Sequence, residues 1–499
     1  MNSSTISLNF EHSYAEHLPD FFAEVKPTPV QKPSLLQFNT SLASELGIDD
    51  RGLTPELVPR IFSGNELPRD ARPIAQIYAG HQFGNFVPQL GDGRALLLGE
   101  VIDRQGKRRD IALKGSGRTP MSRGGDGKAA VGPVLREYLL GEAMHALGIP
   151  TTRALAAVAT GEPVMRERPL PGAVLTRVAA SHVRVGTFQY FAARRQTEHV
   201  RKLADYVIQR HYPEVNEADD RYLALLQSVV QRQADLIARW MLVGFIHGVM
   251  NTDNMAISGE TIDYGPCAFM ETYDPAAVFS SIDHAGRYAY GNQPAIALWN
   301  LARFAETLLP LLGDENSERA VADATAILET FLPRFEQHWY NGAWTKLGLA
   351  DSKSVDSLNE SECALVDDWL ELLKTNKVDY TLAWRALADF AEGDESPLRS
   401  LFKDQTGLEN WLARWTEFQG EIDPSRLAST IRAVNPLYIP RNHLVEEALA
   451  AASNNGDLSS FEALLSVVQH PFDENPQLAR YAEPAPMTFT ANYQTFCGT

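Results

Sequence analysis

The stretch His247–Pro266, HGVMNTDNMAISGETIDYGP, governs how the rest of the chain folds and works. It sets Asp253 and Asn254 side by side and brings Asp263-Tyr264-Gly265 nine residues after Asn254. Met255-Ala256-Ile257 and Thr261-Ile262 read as two short strands around a Ser258-Gly259-Glu260 turn. A hairpin of that size returns its two ends to one place, so an acid, an amide and a second acid converge. Their oxygens are the hard donors that Mg²⁺ takes, usually one or two carboxylates together with substrate phosphates. The plainer reading is a pair of Asx-rich turns flanking a hairpin, because Asn, Asp and Gly form turns in any case.

Upstream residues separate the two readings. Residues 76–130 alternate apolar runs with Gly-rich turns: Ala95–Leu98 and Ile111–Leu113 read as strands, and Gly91-Asp92-Gly93 reads as the turn before the first. Lys114 closes the Ile-Ala-Leu run. A lysine there matches the V-A-I-K strand of protein kinases, whose ammonium reaches nucleotide phosphates. The segment GSGRTPMSRGGDGKAA follows, with five glycines in residues 115–128 interleaved with Arg118, Arg123 and Lys128. Successive N–H groups in such turns form anion-binding concavities, although a Gly-rich loop is also simply flexible. Residues 133–147 form a helix with Pro at its start, and Glu137 shares a face with Leu140, Met144 and Leu147. A carboxylate in an apolar stripe is costly unless paired, and Lys114 is its natural partner. Strands follow at Ala154–Thr160 and Ala173–Val178, the second carrying Arg177, with Arg184 seven residues on. Two guanidiniums here suit a triphosphate. Kinases place a Lys–Glu pair, a catalytic Asp, an Asn and the Asp of D-F-G in this same order, and D-Y-G stands here for D-F-G.

Composition bounds the alternatives. The 499 residues are 44% hydrophobic and 22% charged, ordinary for a globular chain of one large or two to three smaller domains. Lys+Arg 45 against Asp+Glu 63 gives −18, which suits neither nucleic acid nor an anionic membrane as partner. Cys267, Cys363 and Cys497 make neither a disulfide framework nor a zinc cluster, which fits a reducing compartment. The N-terminal stretch has no basic or apolar targeting pattern, and no uninterrupted apolar run reaches the ~18 residues of a membrane span. A cytoplasmic protein is expected.

Residues 1–75 read as an N-terminal wrap, with LLQFNTSLASELGI as a helix. The helix from about Tyr222 to His247 buries Leu226, Val229, Ala234 and Ile237 on one face and delivers the catalytic loop directly. From Gln293 onward the pattern is helical, with SERAVADATAILETFLPRFEQHW read as one helix. Asn435-Pro436 and Arg441-Asn442 suit either a buried polar network or a surface dock. TANYQTFCGT reads as a mobile tail carrying Cys497.

Quoted together, YAGHQFGNFVPQLGDGRA, LKGSGRTPMSRGGDG, HGVMNTDNM and DYGPCAFMETYDP closely resemble the selenoprotein O family, also called the YdiU family, from about residue 10 to the C-terminus. The resemblance implies an α+β, protein-kinase-like bilobal fold. It divides the chain into an N-terminal extension (1–75), a β-rich N-lobe (76–180), a helical C-lobe (181–310) and a helical C-terminal extension (311–499). It also implies an inverted nucleotide, with the γ-phosphate buried and the α-phosphate presented. Members transfer AMP from ATP, and in some cases UMP from UTP, to Ser, Thr or Tyr hydroxyls of proteins. By motif, Gly91, Gly93, Arg94, Lys114, Asp126, Gly127, Arg177, Arg184 and Asp263 would contact the nucleotide. Asp253 would accept the hydroxyl proton, Asn254 and Asp263 would hold Mg²⁺ or Mn²⁺, and Glu137 would steady Lys114. In some relatives the C-terminal Cys or selenocysteine pairs with a cysteine just after D-Y-G. Here YDPAAVFSSIDHAGRY has none, so no such redox lock is expected. The alternatives are a kinase transferring the γ-phosphate and an ATP-binding scaffold without activity.

Overall fold

The apolar runs flanking Lys114 are the centre of an antiparallel sheet. The computed structural model describes residues 6–48, 53–313, 317–349 and 359–496. In chain order its strands are β1 (Phe22–Glu24), β2 (Ser34–Phe38), β3 (Ile74–Gln76), β4 (Gly80–Gln82), β5 (Asn85–Val87), β6 (Ala95–Ile102), β7 (Arg108–Lys114), β8 (Ala129–Ala130), β9 (Arg153–Met165), β10 (Pro169–Ala179), β11 (Phe245–Ile246) and β12 (Ala268–Phe269). One sheet runs β1-β3-β6-β7-β10-β9-β2, with β8 paired to β10, while β4–β5 and β11–β12 are separate two-stranded pairs. Strand β6 is buried as far as Val101, and β7 is buried from Asp110 to Leu113. On one face pack Leu42, Val58, Ile61 and Phe62 of the N-terminal segment. On the other face of the sheet, against β9 and β10, lies the helix Val131–Ala146, backed by helices Asn442–Asn455 and Ser459–Val468. The register places Lys114 opposite Ala95 and Leu175, at the end of the sheet nearest the Gly-rich loop.

The first 75 residues do more than wrap. LLQFNTSLASELGI is a strand and a short helix, because Leu35–Phe38 pair with β9 as an edge strand. Asn39 then accepts a hydrogen bond from the Leu42 N–H and starts the helix Thr40–Glu45 there. The long helix runs from Arg221 to Leu242 and stops short of His247: Gly244, at φ +72°, turns the chain into β11. SERAVADATAILETFLPRFEQHW is likewise two helices, Glu318–Glu329 and Phe331–Lys346. Pro333 falls in the first turn of the second, where its missing N–H costs nothing. Helix Gln293–Leu312, with the turn from Tyr290 before it, is by length and composition the one candidate membrane span among the described residues. It nevertheless buries Ala297, Leu301, Phe304 and Leu308 in the same hydrophobic core as Val229 and Ile237 of the long helix.

Residues Asn435–Asn442 form a buried network. Arg441, fully enclosed, donates to Glu271 (2.6 Å) and Asp379 (2.7 Å), and Asn435 donates to the Lys346 carbonyl (2.9 Å). The C-terminal helices are thereby tied to the segment just after Asp263.

Candidate active site

The expected Asp253–Asp263 hairpin does not pair with itself. Ala256 bridges Arg184, and Thr261 bridges Thr151. Only the turn survives, with the Gly259 N–H on the Ala256 carbonyl (3.2 Å). Arms of three and two residues cannot satisfy their own backbone, so neighbouring elements do it. Gln233 of the long helix takes the Ala256 carbonyl (2.9 Å), and the Trp240 indole N–H reaches Thr261 Oγ1 (2.8 Å). His247 Nε2–H donates to the Ile262 carbonyl (3.0 Å) while its Nδ1 accepts the Val249 N–H, and burial keeps this imidazole neutral. Gln293 clamps the loop's start, accepting from His247 N–H (3.0 Å) and donating to the Phe245 carbonyl (3.0 Å).

The anticipated Lys–Glu pair forms. Lys114 Nζ donates to Glu137 Oε2 (2.5 Å) and also contacts Asp263 Oδ1. Arg177 Nη1 lies 3.1 Å from both Glu137 Oε1 and Asp263 Oδ1. Two cations and two carboxylates thus close one cluster, an arrangement that offsets the cost of burying each charge. Burial alone would raise the Asp263 carboxyl, but Lys114, Arg177 and Arg184 hold it well below the usual carboxylate range. Asp263 sits at φ +67°, a left-handed conformation unusual outside glycine. Arg177 Nε donates to His182 Nε2 (3.2 Å), which makes Nδ1 the protonated nitrogen, donating to Asp110 Oδ2 (2.9 Å).

Asp253 is different. Burial pushes its carboxyl up to about 6, against the lowering pull of Arg184 and of the bond from Gln82 Nε2 to Oδ2 (3.3 Å). Its Oδ1 is buried without a hydrogen-bond partner. Gly80 lies so close that a Cβ there would meet Oδ1 at 2.5 Å, so β4 can pass over this carboxylate only as glycine. Asn254 donates its Nδ2 to the Val249 carbonyl (3.0 Å), which leaves the amide oxygen as its acceptor atom.

Arg94, Lys114, Glu137, Asn254 and Asp263 line one cavity of about 700 Å³. Arg184 lies enclosed beside it, its guanidinium 4.4 Å from the Tyr78 ring centroid and its Nε without a partner. Gly91 and Gly93 shape the turn into β6, where Asp92 accepts the Gln76 N–H (3.0 Å). Asp126 is drawn away from the cluster. Arg166 pairs with it (2.8 Å), and it caps the Lys128 N–H (2.9 Å), outside the cavity lining. Gly127, at φ +70°, packs against Gly117, and any Cβ would strike that carbonyl.

Three contributions had no signal in local spacing. Arg136, one residue before Glu137, donates to the Cys267 (2.6 Å) and Gly265 (3.2 Å) carbonyls and so holds the D-Y-G loop from behind. Thr151 bonds the Tyr264 hydroxyl. The C-terminal segment, read as mobile, is docked as far as Phe496: Thr495 donates to the Phe279 and Pro266 carbonyls and accepts the Ser281 N–H. Tyr493 through Phe496 form one wall of the cavity. Cys497 lies outside the described residues. The Cys267 thiol is buried and pushed up to about 11 by that burial.

A Lys–Glu pair facing an acid–amide–acid set in an α+β protein defines a class of site suited to positioning a polyphosphate and neutralising its charge. The family described as protein adenylyltransferase SelO matches residues 4–469. A protein nucleotidyltransferase YdiU of Chromobacterium violaceum is 59% identical over 484 residues, covering 97% of this chain and 100% of that relative. One from Cereibacter sphaeroides is 58% identical over 99% of this chain and 100% of the relative, and one from Rhizobium rhizogenes is 57% identical over 98% and 97%. The chain belongs to the SelO family.

Proposed function

We propose that this chain is a protein adenylyltransferase on a protein-kinase-like bilobal frame, moving AMP from ATP to Ser, Thr or Tyr hydroxyls of proteins and releasing pyrophosphate. The observation that carries the reading is the contrast between the two acids. Asp263 is held ionised by three cations, whereas Asp253 is buried, raised to about 6 and left with an unbonded oxygen. A general base works best with a value near the working pH and a free acceptor atom.

In this reading Asp253 Oδ1 takes the proton of the acceptor hydroxyl as its oxygen bonds to the α-phosphorus and the bond to pyrophosphate breaks. Lys114, Arg177 and Arg184 neutralise the polyphosphate, with Glu137 fixing the first two. Arg94 at the cavity wall and the Gly91–Gly93 turn border the nucleotide, whereas Asp126, paired with Arg166, stands apart from it. Asn254 and Asp263 supply the amide and carboxylate oxygens that suit Mg²⁺ or Mn²⁺, and such an ion would add charge neutralisation at the phosphates. UTP serves as an alternative donor in the same geometry. The lobes are residues 76–180 and 181–310, flanked by the two extensions. With three cysteines and an acidic balance, the protein works in the cytoplasm on protein acceptors.

ATP labelled at the α or the γ position tests this. Label is expected on protein from α-labelled ATP only. Label from the γ position alone would make the protein a kinase, and label from neither would favour the scaffold.

A further inference from the structure

The β4–β5 hairpin is stitched to the catalytic loop at three successive residues. His81 N–H donates to Thr252 Oγ1 (2.7 Å), Gln82 Nε2 to Asp253 Oδ2 (3.3 Å) and Phe83 N–H to Asn251 Oδ1 (3.1 Å). Gln189 fixes the His81 ring, donating to Nδ1 (2.8 Å) while its own oxygen accepts from Thr252 (2.6 Å). The cavity holding Lys114, Asn254 and Asp263 does not include these hairpin residues. Asp253 is not part of that lining either, so the hairpin and the Asp253 carboxylate meet outside the cavity that holds Lys114, Asn254 and Asp263.

Its outer side is aromatic and cationic. The His81 ring lies 4.9 Å from Phe86, which is 40% exposed, and meets Trp299 edge-on at 5.2 Å. Trp299, half-buried, is approached by the guanidiniums of Arg287 (4.9 Å) and Arg303 (5.1 Å). Arg303 pairs with Glu306 (2.6 Å), but among the described residues no carboxylate lies within ion-pair distance of Arg287. Asp283, four residues before it, spends its oxygens on the backbone N–H groups of Arg287 and Tyr288. The Nε atoms of both arginines are buried without hydrogen-bond partners. In a chain of net charge −18, two arginines held against an aromatic ring next to the candidate base call for an explanation.

We propose that this patch, Phe86, Trp299, Arg287 and Arg303, docks the acceptor polypeptide through an Asp or Glu side chain flanking the hydroxyl to be modified. Arginine offers a carboxylate a planar fork, and arginine clusters are a recurring mode of acidic-motif recognition. Stacking on Trp299 holds the guanidiniums in place before the peptide arrives, which lowers the ordering cost of binding. Trp and Arg are also the residue types that concentrate binding energy at interfaces. The proposal rests on Asp253 being the residue that faces the acceptor.

Three twelve-residue peptides with one central serine, flanked by Glu, Gln or Lys, test it with α-labelled ATP and Mg²⁺. The Glu peptide is expected to be labelled with about ten-fold higher kcat/KM than the Gln peptide, the gain of one charge-assisted contact, and the difference should lie in KM. The preference should weaken in high salt. It should fall below about two-fold in the Arg287→Gln/Arg303→Gln variant and largely persist in Arg287→Lys/Arg303→Lys, which keeps the charge. ATP binding and thermal unfolding of each variant report folding separately. Equal labelling of the Glu and Gln peptides, labelling of none, or a Glu preference that survives in the double Gln variant overturns the proposal. Labelling by Asp253→Asn at the native rate would instead sink the assignment of the base, while the Glu preference would remain readable.

Discussion

Gln82 Nε2 lies 3.3 Å from Asp253 Oδ2, the one side-chain hydrogen bond to that carboxylate among the described residues. A hairpin far upstream thus tunes the acid that the catalytic loop delivers. Removing the bond with Gln82→Leu withdraws a contact that lowers the Asp253 value. With Asp253 as the proposed base working ionised, transfer should rise as pH climbs through about 6 in the native protein. In the variant that acid limb should move to higher pH, with the plateau rate much less affected. A transfer rate measured from pH 5 to 8 that shows an unmoved limb would separate Gln82 from catalysis.

Replacing the acid itself should do more. Asp253→Asn keeps the shape and removes the proposed base, so transfer should fall roughly 10²-fold or more while nucleotide affinity, measured by calorimetry, changes little. An equal loss of affinity would mean that Asp253 chiefly binds the nucleotide.

Glu137 joins two cations, the partly buried Lys114 at 2.5 Å and the buried Arg177 at 3.1 Å. Glu137→Gln leaves both dependent on Asp263. Breaking a buried pair from one side typically costs about 3–5 kcal/mol, so the melting temperature should drop and the stabilisation by added ATP should shrink. An unchanged ATP-induced shift would show that Lys114 needs no such support.

Asp110 lies between His182 Nδ1 (2.9 Å) and Arg210 Nη2 (2.6 Å). Burial opposes its ionisation, but Arg210 and His182 prevail and set it at about 2, below the ordinary 3.8. A depressed carboxyl stabilises the fold above its unfolded value and loses that contribution as pH falls from about 4 towards 2, here about 2 kcal/mol. Urea unfolding should show Asp110→Asn clearly weaker than native at pH 6, with the gap narrowing below pH 4. A gap constant with pH would rule out the ion cluster as its source.

Arg441 is fully enclosed between Glu271 and Asp379. Arg441→Met strands two buried carboxylates and should destabilise the protein by about 3–5 kcal/mol. Adding Glu271→Gln and Asp379→Asn should recover part of this. No recovery in the triple variant would locate the loss in packing instead.

Much of this site was legible locally. Lys114 ends a strand, Glu137 stands on the apolar stripe of a helix, and Asp253-Asn254 and Asp263-Tyr264-Gly265 follow in a fixed order, because side-chain periodicity and turn chemistry act over a few residues. The same local logic failed where a neighbour from elsewhere took over a backbone. Ala256 looked like half of a hairpin until Arg184 paired with it, and Leu35–Phe38 looked helical until β9 offered an edge. The tail looked free until Thr495 found Phe279 and Pro266.

What the sequence determined by itself was the inventory: two acids, an amide, a lysine, a glutamate and two arginines, each on the element that its neighbours dictate. Only the tertiary structure decided their states. Asp253 and Asp263 are the same residue type ten positions apart, yet one is raised to about 6 and the other held ionised. The difference lies in what surrounds each: glycine backbone, one hydrogen bond from Gln82 and the charge of Arg184 without an ion pair at the first, direct pairing with Lys114 and Arg177 at the second. Burial and Coulomb terms depend on through-space distance, and that distance is set by the packing of segments far apart in the chain.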